Sequence, residues 1–360
     1  MSTVAERDRA AHVFATGAAA ALVHDLMKPH LPRYYLDLTI AAVVGWAAFA
    51  AFAAGVPNGW WLVVWYVVAV LALYRAAVFI HEIAHFGHRN AFRPFTRVWN
   101  LVVGIPLLIP SFMYERHCEH HSRRSYGTEH DAEYVRFATM PRGHIAAVLA
   151  GSALAPLFGP WRFGVLAPVS WLIPRTRPFI YAQMSTLKID LDYRGEPPQP
   201  GEQRRSWLVQ EATACALVLV VAVAVLTGHL SWRVPVTWAA VLAGIAVLNS
   251  VRLLGAHRYL GDHDRMSVTE QMMDTFTYAR HPLLGELWGP LGLRLHALHH
   301  LLPGLPYHAL PEAHRRMVAA PALNAAYRLT ESNGLIPSIA ELWRRAGHAR
   351  ADDSLRRDPR

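Results

Sequence analysis

Residues 60–88 read WWLVVWYVVAVLALYRAAVFIHEIAHFGH. The apolar part, Trp60–Ile80, has about the 20 residues a helix needs to cross the hydrocarbon core of a bilayer. It ends, with no loop between, in His81-Glu82-Ile83-Ala84-His85-Phe86-Gly87-His88. A span that delivers the chain straight into a histidine cluster predicts a polar site built at a membrane surface.

Working outward, Leu38–Val56 is a second apolar run, joined to the first through the turn signal Pro57-Asn58-Gly59. Trp60, Trp61 and Trp65 suit an interfacial belt. A second hairpin follows downstream: Trp207–Leu226, a turn around Gly228–Arg233, then Val234–Val251. The pattern predicts an all-α integral membrane protein with four transmembrane helices and a cytoplasmic helical cap that holds the polar site. The two turns contain one basic residue, Arg233, and nearly all other Lys and Arg lie on the opposite side. The positive-inside rule then places both termini and every histidine cluster in the cytoplasm, in a bacterial inner membrane. The formal charge of +9 is accounted for in this way and is no nucleic-acid footprint.

The remaining segments are shorter or more polar. Leu101–Pro110 is too short to span and is broken by Pro106 and Pro110. Ile145–Pro174 is cut by Pro156, Pro160, Arg162 and Pro168 and reads as interfacial helices, or as a shallow re-entrant pair. Residues 184–206 read as a polar loop. Three divisions result: a cytoplasmic amphipathic segment at 1–34, a membrane domain at 35–320, and a C-terminal extension at 321–360 whose Ala349–Arg360 end is a charged, disordered tail. Arg7, Asp8 and Arg9 make a poor signal peptide.

Two more histidine clusters follow the first: His117-Cys118-Glu119-His120-His121 and His296-Ala297-Leu298-His299-His300. Offsets of three and four residues are neighbours on a helix surface, so each cluster presents its rings on one face. Imidazole suits iron, copper and zinc. Eight or nine such ligands are too many for one tetrahedral zinc, and two metal ions are the simplest reading. Cys118 and Cys215 lie too far apart in the chain to suggest a disulfide framework, and Cys118 reads as a filler between ligands. His81-Glu82-Ile83-Ala84-His85 also matches the zinc-protease helix motif, but a protease leaves the other two clusters unexplained. Glu82 and Glu119 are expected to orient ligating imidazoles; Asp131 and Glu133 either do the same or solvate a loop. His130, His144, His281, His308 and His314 read as ordinary surface or capping histidines.

The ordered boxes His-x3-His, His-x2-His-His and His-x2-His-His resemble those of the integral-membrane fatty acid desaturase family. The flanks are similar too: Gly127-Thr128-Glu129-His130-Asp131-Ala132-Glu133 after the second box and Leu302–Pro311 after the third. The resemblance implies two non-haem iron ions held by His81, His85, His117, His120, His121, His296, His299 and His300. Ala256-His257-Arg258-Tyr259 resembles the segment that supplies a ninth ligand, His257, in animal acyl-CoA desaturases. Those proteins carry an Asn one turn before that histidine, where this chain has Leu253. His88 continues the first face, as a substitute ligand or a support. O2 is implied as co-substrate, a lipid acyl chain as substrate, and a ferredoxin or b-type cytochrome as external electron donor, with Arg123, Arg124, Arg315 and Arg316 as candidates for docking it. The flanks favour a fatty acyl desaturase; a lipid or carotenoid hydroxylase and a non-catalytic membrane metal-binding protein are the alternatives.

Overall fold

The structure is a computed structural model that describes residues 3–261 and 265–355, with no β-strand among them. Four helices are long and apolar enough to cross a membrane: Leu31–Ala54, Trp61–Phe86, Glu202–Leu226 and Arg233–Leu254. They form the two expected hairpins, with turns over residues 55–60 and 227–232. Their outer faces keep Leu36, Ile40, Val43, Val63, Val67, Val220 and Val223 exposed, as a lipid-facing surface does. Inside the bundle, close approach depends on small residues. A Cβ on Gly45 of the first span would lie 2.7 Å from the Leu73 side chain of the second. One on Gly244 of the fourth would lie 2.5 Å from the Tyr66 hydroxyl.

All four helices outrun their apolar sequences at the end opposite the turns. The second continues through His81 and His85 to Phe86, because protein covers these polar residues there: His81 and Glu82 are buried. A helical arm, Arg93–Trp99 with a wide turn over Asn100–Gly104, packs on that end, and the Trp99 indole donates to the Ala76 carbonyl (2.7 Å). Asn100 then bonds Ser111 through both its amide N and O (2.8 Å each). Together these hold the turn that leads to His117.

Residues 142–172 form Arg142–Ser152 and Ala155–Leu172, bent by 56° at the break, which is a broken span or a re-entrant loop. The pair lies against the third and fourth spans. Arg162, fully buried, is tied to Glu211 of the third span (2.7 Å), to Ser185 Oγ (3.0 Å) and to the Met184 carbonyl (2.8 Å). Trp171 donates to the other Glu211 oxygen (3.1 Å).

At the chain ends, the expected amphipathic segment packs its apolar residues on protein: Ala10, Ala11, Phe14, Ala19 and Val23 are buried against Met272, Leu298, Ala313 and Met317 of the cap. The charged C-terminal stretch is helical as far as Leu355, within Leu335–Leu355; the rest of the expected disordered tail lies outside the described residues.

Candidate metal centre

The nine expected histidines come together, and they come together as two sets. His81, His85, His117, His121 and His299 form one; His120, His257, His296 and His300 form the other. Within each set the ring nitrogens lie within 4.8 Å of one another. The first box serves the first set alone, and the other two boxes serve both. The second box sends His117 and His121 to the first set and His120 to the second, as i, i+3 and i+4 spacing on one helical turn allows. The third box divides in the same way.

His257 arrives by a different route. The fourth span stops at Leu254, and the backbone beyond it pairs with an extended strip: Arg258 N donates to the Asp274 carbonyl (2.6 Å) and Phe276 N to that of Ala256 (3.0 Å). Antiparallel bridges join His257 to Thr275 and Thr277 to Leu295, the residue before His296. One ladder thus fixes the His257 and His296 backbones.

The Nδ1 side of several rings is held by anions or by a hydroxyl. Glu133 takes His117 Nδ1 (2.6 Å) and Asp131 takes His120 Nδ1 (2.9 Å). Tyr126 OH meets His257 Nδ1 (2.9 Å) and donates to Asp274 (2.8 Å), which also accepts from Tyr134 (2.9 Å). These bonds leave each Nε2 turned inward. Tyr114 stacks on His117 with centroids 4.8 Å apart and donates to Glu133 (2.5 Å).

The inward nitrogens crowd one another. Nε2 of His121 is 3.0 Å from that of His117 and 3.1 Å from that of His299. Nε2 of His257 is 3.3 Å from that of His120 and 3.1 Å from that of His296, which is 3.2 Å from that of His300. Nε2 of His81 and of His85 are buried with no hydrogen-bond partner. Burial first, then neighbouring positive charge, holds His117, His121, His257, His296, His299 and His300 well below the ordinary imidazole range. The rings are therefore neutral, with lone pairs converging and too few protons to satisfy them. At His120 burial also works against the charge, but Asp131 outweighs it and holds the ring above that range. A carboxylate that favours a proton on this ring favours a metal cation on its Nε2 equally well. Two nitrogens each about 2.1 Å from one ion and 90–105° apart lie about 3.0–3.3 Å from each other, so the spacing fits a metal.

The remaining sequence expectations divide. Glu82 does not orient a ligand: it accepts from the Tyr34 hydroxyl and from Tyr307 N (3.1 Å), and its distance to His81 Nδ1 is 3.8 Å. Glu119 goes to Arg116 (2.5 Å) and Tyr193 (3.0 Å). Asp131 and Glu133 do the work expected of those two. His88 is exposed and belongs to neither set. Cys118 is exposed, its Sγ on the Ala84 carbonyl at 3.3 Å. His308 and His314 are not surface groups of no account: His308 accepts from His30 N (3.0 Å) and His314 bonds Tyr327 (2.9 Å). Leu253 contributes its carbonyl to Tyr259 OH (2.6 Å), not a side chain to the site. Tyr126, Tyr134 and Asp274 had no signal in the sequence beyond being polar residues near a box.

A profile of the family described as Fatty acid desaturase matches residues 58–331. The chain is 36% identical over 347 residues to a protein of Caulobacter vibrioides (strain NA1000 / CB15N) described as a ceramide hydroxylase, across 95% of this chain and 97% of that one. No solved structure matches it.

Proposed function

The chain belongs to the fatty acid desaturase family, and from that premise we propose that it inserts oxygen into an unactivated C–H bond of a long-chain membrane lipid, with a ceramide-like lipid as the leading substrate class. It is an integral membrane oxidoreductase of the desaturase and hydroxylase type. The observation that carries the reading is the division of nine histidines, buried or half-buried, into sets of five and four at the ends of the spans. Two non-haem irons held by those rings would supply the oxidising power that acid–base side chains lack, with O2 as oxidant.

The chain's own residues have definable tasks. Glu133, Asp131 and the Asp274–Tyr126 pair hold His117, His120 and His257 in the tautomer that aims Nε2 inward. The second and fourth spans bring the site to the membrane boundary, where an aliphatic chain is already at hand. Arg233, the first residue of the fourth helix, is the only Lys or Arg at the turns 55–60 and 227–232, which supports a cytoplasmic site and an inner-membrane setting.

Hydroxylation leads because the similarity to a ceramide hydroxylase extends over nearly the whole of both chains. Acyl desaturation is the second reading, supported by the flanking segments 127–133 and 302–311. Both outcomes use O2, two electrons and two protons: hydroxylation yields an alcohol and one water, desaturation an alkene and two waters. Expressing the protein in a host fed perdeuterated long-chain lipid separates them by mass. An alcohol that has lost one deuterium is the expected product; an alkene lacking two adjacent deuteriums moves the assignment to desaturation. No oxidised lipid from an iron-replete preparation would remove both.

A further inference from the structure

On the polar surface of the cap a recess of about 220 Å3 is lined by Arg123, Arg124, Arg265, Met266 and Ser267. All three arginines are exposed, and among the described residues none has a carboxylate partner. A guanidinium fork without a carboxylate is one half of a bidentate pair. No large apolar side chain is exposed between Leu101 and Leu154, or among the described residues between Val236 and Leu283. The two segments that line the recess thus present charge and no large apolar side chain to the outside. By contrast, the short helix Pro282–Trp288 leaves Leu283, Leu284 and Leu287 exposed.

The floor of the recess is close to the histidines. Met266 packs against the cluster of Tyr126, Tyr134 and Tyr259, with its sulfur 4.0 Å from where a Cβ on Gly127 would stand. The Tyr134 ring lies 3.7 Å from that same point, and its centroid is 4.9 Å from that of Tyr126. Tyr126 in turn lies 5.2 Å from His120, 5.4 Å from His300 and 5.9 Å from His257. Two buried aromatic rings, Tyr134 and Tyr126, thus lie between the floor and the second histidine set, and Tyr134 itself has its centroid 5.9 Å from that of His257. Arg123 and Arg124 follow His121 directly, after Ser122 alone.

We propose that this recess is the docking surface for an acidic one-electron carrier protein, seated over Met266 with its carboxylates on Arg123, Arg124 and Arg265. The inference rests on the oxidoreductase reading, which needs an electron source: R–H, O2, two electrons and two protons give R–OH and water. A carrier that is oxidised by one electron per visit must visit twice, so it has to bind quickly and leave quickly, and exposed charge serves that better than a buried apolar patch. An anionic lipid surface is the poorer fit, because a membrane-seated basic patch carries apolar side chains beside its charges and the two segments that line this recess expose no large one.

The test is binding, which needs no turnover, so it separates failure of this inference from failure of the lipid-oxidation reading. The full chain in nanodiscs of zwitterionic lipid is titrated with an acidic plant-type [2Fe–2S] ferredoxin over a series of salt concentrations. The triple variant R123E/R124E/R265E should raise Kd at least about tenfold and lose the salt dependence of the unmodified chain. The neutral triple R123Q/R124Q/R265Q should fall between, with metal content and melting temperature as checks that both variants fold. Where turnover is measurable, the KM for ferredoxin should rise while the rate with a small chemical reductant stays unchanged. An unchanged Kd, or no binding by the unmodified chain, overturns the proposal. So does a loss of affinity for phosphatidylglycerol vesicles with ferredoxin binding intact.

Discussion

Replacing Asp131 by Asn keeps the shape of a fully buried side chain and removes its charge. In the folded protein one carboxylate serves three donors: His120 Nδ1 at 2.9 Å, Gly127 N at 3.1 Å and Glu133 N at 2.9 Å. The two backbone donors sit on different oxygens, so whichever way the amide turns, its NH2 faces one backbone N–H. That leaves a buried donor without an acceptor, at about 1–3 kcal/mol, in addition to the loss of a charge-assisted bond to His120 worth about 1.5–3 kcal/mol. The part felt by the metal follows from the loss of a carboxylate partner on a ligating imidazole, roughly 10–100-fold in affinity, or about 1.4–2.7 kcal/mol. His120 belongs to the four-histidine set, so the loss should fall there first. The assay is iron per chain after dialysis against graded chelator. Asp131→Asn is expected to retain about one iron under conditions where the unmodified chain retains two, and Asp131→Ala to do no better. Two irons held by Asp131→Asn at every chelator concentration, as by the unmodified chain, would refute the assignment of Asp131 as a support for the site.

Three further outcomes can be checked. His120→Ala should lose iron together with activity, measured by metal analysis and lipid product; one tightly held zinc in the unmodified protein would speak against the whole scheme. Tyr126→Phe cuts His257 off from Asp274, and about tenfold weaker iron retention is expected, together with a melting temperature lowered by the buried His257 Nδ1 left without its partner. Arg162→Met leaves Glu211 buried and unpaired and should destabilise the detergent-solubilised protein by about 3–5 kcal/mol, whereas the double change with Glu211→Met should recover most of the loss in a thermal melt.

Much of the bundle could be read from the chain, because a bilayer imposes one requirement on about 20 residues at a time and Pro57-Asn58-Gly59 marks the turn plainly. The ends of the helices were less legible. Trp60–Ile80 is apolar whether lipid or protein covers it, and Ala69–Ile80 is already largely packed inside the protein; His81–Phe86 is polar and helical only because protein covers it, which hydropathy does not register. Glu82 misled for a geometric reason: neighbours i and i+1 on a helix face about 100° apart, so the residue beside His81 looks at Tyr34 and not at the metal face. Asp131 and Glu133 reach their imidazoles because Gly127, at φ +73°, turns the chain back under the second box. The N-terminal helix Val4–Val13 is a similar case. Ala10 and Ala11 are weakly apolar and carry no periodic signal, yet they fit closely against Met272 and its neighbours.

The Arg162–Glu211 pair bears on how the protein is made. Glu211 is the tenth residue of the third spanning helix, and a lone carboxylate there is expensive to pass into lipid. Its partner is synthesised 49 residues earlier, on a bent segment that by composition need not commit to either leaflet. The two charges therefore cross into the bundle as one neutral unit, and a chain carrying Arg162→Met is expected to insert its third helix less completely than the unmodified chain, as labelling from each side of the membrane would show.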